Sequence, residues 1–197
     1  MANRVRKVAM AAAMAGGILA SSTGAAADVA PGFGTDPRAH LRPTTPAVAS
    51  LIGRATEASA TFRRIVETIE ASDTYVYIIE GDCGHGVRAC FSGVTVAGPR
   101  RIMRVTVALD AGKPDWYLMG SIGHELYHTL EAIQDPSVRS TEAQYFLYER
   151  IGFHGTTRSR ETLKAMDAGN AVRAEIRRFI RSGRVESSPR CAAPAQQ

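Results

Sequence analysis

No stretch of this 197-residue chain stays apolar for the ~20 residues that an α-helix needs to cross a bilayer. The longest apolar run, residues 8–20, falls short of that length, which argues against an uncleaved membrane anchor. Cysteine is scarce. The chain has three, so it is not a disulfide-dense scaffold, and a structural zinc site built on Cys83, His85 and Cys90 would lack a fourth ligand. No internal repeat is visible, which sets aside the stacked-repeat architectures. At 197 residues there is room for one domain with a proper core, and not for two once the ends are discounted.

What is present begins with a leader. Arg4, Arg6 and Lys7 precede the apolar run, and small residues ending Ala25-Ala26-Ala27 follow it. This is the layout of a secretory signal peptide over residues 1–27, with cleavage expected near Ala27 and an exported, periplasmic or secreted, mature protein. Cleavage removes three basic residues and lowers the formal charge from +5 to about +2. The basic balance is thus partly a property of the leader. The remaining cluster from Arg173 to Arg190 reads as a solvated helix face, and no nucleic acid is expected as a partner. Export permits disulfides, and Cys83 to Cys90 spans a short loop that one bridge could close, leaving Cys191 free.

Residues 28–45, rich in Pro, Gly and Thr, read as a flexible lead-in, and residues 183–197 as a polar tail. Between them, residues 46–182 predict a single α+β domain. Thr45-Pro46 offers an N-cap and a first helical residue. Val48, Leu51, Ile52, Ala55, Phe62, Ile65, Val66 and Ile69 then predict one long amphipathic helix ending near Ser72-Asp73. Residues 74–80, 89–96 and 101–109 predict three strands, and their short connections favour an antiparallel meander. From Asp115 onward the chain reads helical. One helix is stopped by Asp135-Pro136, a second covers residues 138–151, and a third residues 159–181.

The first of these helices carries His124-Glu125-Leu126-Tyr127-His128. At 100° per residue the two histidines fall ~40° apart on one face, one turn from each other, and can bind one ion together. Glu125 lies ~100° round from His124, within reach of a water at the ion but turned away from being a ligand. Two imidazoles to hold Zn²⁺ and a glutamate to take a proton from the attacking water is the physical sense of HExxH. Glu131, ~20° from His124, faces the same side and could orient an imidazole N–H.

The pentapeptide, preceded by Met119-Gly120-Ser121-Ile122-Gly123, resembles the active-site helix of zincin-type metallopeptidases, and the chain is similar to small exported bacterial HExxH proteins. The three-histidine extension of that motif calls for Gly at 131 and His at 134, where this chain has Glu131 and Gln134. The resemblance therefore implies the gluzincin arrangement, in which a later glutamate completes the site. By helical phase Glu161 aligns with Ala165, Ala168, Val172, Ile176 and Phe179 on an apolar face, where a carboxylate needs a partner. Glu161 is the expected third ligand, with Glu142 and His154 as alternatives. For the oxyanion, Tyr145, Tyr148, His154 and Arg158 remain equal candidates. The reading is an exported zinc-dependent hydrolase. Most simply it is a peptidase acting on a peptide or protein substrate, with Zn²⁺ on His124, His128 and Glu161 and Glu125 as general base. Residues 101–109 would pair with an extended substrate if they form a sheet edge. The alternative is a non-catalytic exported metal-binding or structural domain.

Overall fold

The computed structural model describes residues 38–84, 86–109, 114–154 and 160–183. The leader, most of the lead-in and the tail with Cys191 lie outside the described residues. Within them the architecture is α+β: five helices, a four-stranded mixed sheet and a separate two-stranded pairing. None of the described helices is long and apolar enough to cross a membrane.

The end of the expected lead-in is a strand, β1 (Leu41–Pro43), paired in parallel with β2 (Thr74–Glu80) so that Leu41 lies opposite Val76. Its cause is not local. The Glu70 carboxylate accepts from the backbone N–H groups of His40 and Leu41 at 2.8 and 2.9 Å, and the Leu41 side chain is fully buried.

The expected long helix is two, α1 (Pro46–Ala58) and α2 (Ala60–Glu70), meeting at Ser59. Pro46 opens α1 behind Thr45, whose hydroxyl accepts from Val48 N. Ser59 takes an extended conformation, caps α2 by accepting from Phe62 N at 3.0 Å, and donates to Glu175 Oε2 at 2.6 Å. A serine that caps the second helix while bonded to a distant carboxylate ends the first one. The apolar period runs through this break, which is why periodicity alone joins the two helices.

The sheet order is β1-β2-β4-β3, with β3 (Ala89–Ala97) antiparallel to β4 (Arg100–Val107) and β2 parallel to β4. The three-stranded antiparallel meander is therefore overturned. β3 and β4 form a hairpin through Gly98, at φ 58°, and the chain from β2 crosses to the far side of β4 before entering β3. Burial explains the placement: β4 buries Met103, Val105 and Val107 and takes the centre, whereas Ser92, Thr95 and Val96 of β3 are exposed and suit an edge. Residues 101–107 are thus not an edge. The edge is β3. The Cys83–Cys90 disulfide closes the loop leading into it.

α3 (Asp115–Gln134) packs against β3 and β4 and against α1, α2 and α5. Its last carbonyls have no partner within the helix. Arg101 of β4 supplies one, donating to the carbonyls of Ala132, Ile133 and Asp135 at 2.9 to 3.0 Å. α4 (Thr141–Ile151) starts behind the Ser140 cap and stops at Gly152. α5 (Leu163–Arg181) begins four residues later than the expected 159, behind the Thr162 cap. α3 and α5 approach closely through glycines. A Cβ on Gly169 would meet His124 Cβ at 2.9 Å, and one on Gly123 would meet Val172 at 2.9 Å. These small residues bring α5 against the face that carries the histidines.

Candidate metal centre

His124 and His128 lie one turn apart on α3, with ring centres separated by 4.8 Å. The helix is fixed from behind by Leu118, Ile122 and Leu126, all buried, so the imidazoles emerge from an anchored backbone. Glu161 reaches them from another element. It does not sit on α5; it belongs to β6 (Arg160–Glu161), paired antiparallel with β5 (Phe153–His154) so that Phe153 lies opposite Glu161. The helical-phase argument selected this residue through a helix that does not extend to it. Pairing with β5 and the Thr162 cap end α5 before Glu161.

Glu161 Oε2 lies 2.9 Å from His124 Nε2 and 3.5 Å from His128 Nε2. Ligand atoms of the three residues all lie within 4.8 Å of one another, and the cluster could hold a metal ion. Bonds of ~2.0–2.1 Å at tetrahedral angles would put ligand atoms ~3.3 Å apart, a value that the two glutamate–imidazole separations bracket. Glu161 Oε2 is buried, and its polar neighbours are the two imidazoles, with no hydrogen bond to any other group among the described residues. A buried carboxylate oxygen whose polar neighbours are two ring nitrogens is an arrangement that a bound cation would suit. Two imidazoles and one carboxylate, leaving a fourth position open, also form a donor set suited to a catalytic divalent ion.

Electrostatics follow from the same contacts. His124 and then His128 hold the Glu161 carboxyl well below the usual carboxylate range, against the opposing effect of burial. Burial disfavours the His128 imidazolium, but hydrogen bonds to Glu131 and Glu161 outweigh it and push the group up to about 9. The His128 Nδ1–H donates to Glu131 Oε2 at 2.9 Å, which leaves Nε2 as the atom turned to the cluster. The other oxygen of Glu131 accepts from Thr162 Oγ1 at 2.7 Å. Thr162 caps α5 and directly follows Glu161, so one carboxylate aligns an imidazole and pins the strand that brings Glu161 to the cluster.

Glu125 stands beside this set. Its Oε2 accepts from Phe91 N of the edge strand at 2.8 Å, and its Oε1 lies 3.8 Å from His124 Nε2. Burial raises its pKa, opposed by the two histidines and the Phe91 N–H. A buried carboxylate raised in this way is a stronger proton acceptor than an exposed one.

The other candidates separate cleanly. Glu142 is exposed in the first turn of α4 and outside the cluster. The side chain of His154, and all of Arg158, lie outside the described residues. Tyr145 is exposed, and Tyr148 is committed elsewhere: its buried phenol donates to the His128 carbonyl at 2.6 Å. Burial, with Glu131 and Glu125 nearby, drives the Tyr148 pKa far up and keeps it protonated. Two contributions escaped sequence reasoning. The Phe91 N–H carries no side-chain signature. Thr162 could have been recognised as an N-cap before an apolar helical period.

Comparison with protein-family models, with curated proteins and with solved structures finds no match to this chain.

Proposed function

We propose that this chain is an exported zinc-dependent hydrolase that cleaves peptide bonds, with a site similar to that of the gluzincin-type metallopeptidases. The observation that carries the reading is the buried Glu161 Oε2 set 2.9 and 3.5 Å from the Nε2 atoms of His124 and His128. His124, His128 and Glu161 would hold Zn²⁺, and the two-histidine, one-glutamate set is one of those used by catalytic zinc. Zinc, when bound, supplies Lewis acidity that polarises the scissile carbonyl and acidifies water.

The protein's own part is proton management and orientation. Glu125, anchored by the Phe91 N–H, accepts a proton from the attacking water and returns it to the leaving amine, a role its burial-raised pKa favours. Glu131 holds His128 in one orientation. Tyr148 fixes the backbone of that turn. The Cys83–Cys90 disulfide supports an oxidising, exported setting.

Glu125 also favours the hydrolase over a purely structural metal site. It is buried beside the cluster, is not one of its ligands, and borders a cavity. Glu125→Gln should leave zinc content unchanged and lower peptide hydrolysis by roughly 10²–10⁴-fold. An unaltered rate would remove Glu125 from the mechanism, and stoichiometric zinc without cleavage of a broad peptide library would favour the structural role.

A further inference from the structure

Beside His124 and Glu125 opens a cavity of about 290 Å³ whose walls include Arg88, Tyr117, Ser121 and Arg173. Its size lies near the small end of the ~300–1,000 Å³ typical of ligand sites. Two of these walls are arginines. Arg88, on the approach to the edge strand, is only 5 % exposed. Arg173 is fixed by the α3–α5 contact: its methylenes lie over Gly120, where a Cβ would collide with its Cγ.

The guanidinium of Arg173 has neutral company. Nη1 donates to Asn170 Oδ1 at 3.1 Å, Nη2 donates to Ser121 Oγ at 3.3 Å, and the group lies 4.9 Å from the centre of the Tyr117 ring. Its Nε is buried with no hydrogen-bond partner, and none of the ion pairs among the described residues includes it. Among the described residues the one acidic wall of the cavity, Glu125, is already engaged by the Phe91 N–H. A positioned cation without a counter-ion, next to a second arginine, favours an anion with planar, two-oxygen geometry.

We propose that this cavity binds a carboxylate of the substrate through Arg173. The preferred peptides would then carry a negative charge near the scissile bond, as a free C-terminal carboxylate or an acidic side chain. The proposal rests on the hydrolase reading for its choice of peptides, and its test is a binding measurement that does not depend on turnover.

The full chain carrying Glu125→Gln is titrated by calorimetry with two pairs of short peptides, as purified and again after chelation. The first pair is N-acetyl-Ala-Ala with a free C-terminus against its C-terminal amide. The second is N-acetyl-Ala-Glu amide against N-acetyl-Ala-Gln amide. At least one carboxylate peptide should bind about tenfold or more tightly than its neutral partner, as expected for a charge-assisted pair, and which pair does so identifies the source of the carboxylate. Arg173→Met, which keeps the stem over Gly120, should erase the preference, and Arg173→Lys should retain part of it. Equal affinities within both pairs, no binding by any peptide, or a preference that persists in Arg173→Met overturns the proposal. The comparison within each pair needs no arginine variant, so it stands even if one folds poorly. Loss of the zinc or of the hydrolysis would sink the hydrolase reading and leave these affinities as measured.

Discussion

The three residues of the cluster come from two regions built on different principles. On α3, His124 and His128 meet because a helix places residues four apart on one face, and nothing beyond the helix is required. On β6, Glu161 meets them because two two-residue strands pair, Thr162 caps α5, and Glu131 reaches across from α3 to accept from Thr162. One half of the centre is written in local spacing and the other in tertiary contacts. The α3 half should therefore persist when its surroundings are perturbed, whereas the β6 half should fail with its supports.

The largest effect expected from disturbing those supports is at Glu131. Glu131→Gln weakens both the His128 contact and the Thr162 contact, and should lower metal affinity by roughly 10–100-fold while the helix stays intact. Competition with a chelator measures this. An unchanged affinity would mean that the two halves are independent.

Next comes pH, which probes how the halves hold each other without metal. His128 is pushed up to about 9 in the folded chain, above its ordinary value of ~6.5. Its contribution to stability is complete below about pH 6.5 and is lost as pH rises through about 9. Glu161 works in the opposite sense: its lowered pKa contributes above its ordinary titration range near pH 4.5, and this is lost in acid. Glu125, raised by burial, adds to the loss as pH rises. The melting temperature of chelated protein should therefore fall between about pH 6.5 and 9, and a rise over that interval would contradict the account. Saturating zinc should flatten the slope, since a ligand that binds the folded state replaces the proton.

The smallest effect is at Thr162. Thr162→Val removes the α5 cap and the bond to Glu131, and should cost ~1 kcal/mol in stability, within the ~0.5–2 range for lost caps. Thermal unfolding reads the stability, and metal affinity should fall less than it does for Glu131→Gln.

The same contrast explains what the sequence makes legible. The ends of α3 and α4 follow from Asp135-Pro136 and from Gly152, signals contained in a few adjacent residues. The break at Ser59 is invisible to an apolar period that continues across it, because its cause, Glu175, lies 116 residues away. β1 depends on Glu70 in the same way. Three strands with short connections suggest a meander, and only the burial of β4 on the central position shows why β2 pairs with it in parallel. Glu161 shows both sides at once: helical phase picks it out, with Glu142 and His154 as alternatives, but the element that carries it is a strand set by contacts no periodicity records.

The central claim is that His124, His128 and Glu161 form one metal centre, and metal content tests it most directly. Plasma emission analysis of the purified chain should find one zinc per molecule, none in His128→Ala, and a substoichiometric amount in Glu161→Gln, with all three proteins giving the same far-UV circular dichroism. An unmodified chain that takes up no zinc, or a Glu161→Gln variant that retains it with undiminished affinity, would contradict the account.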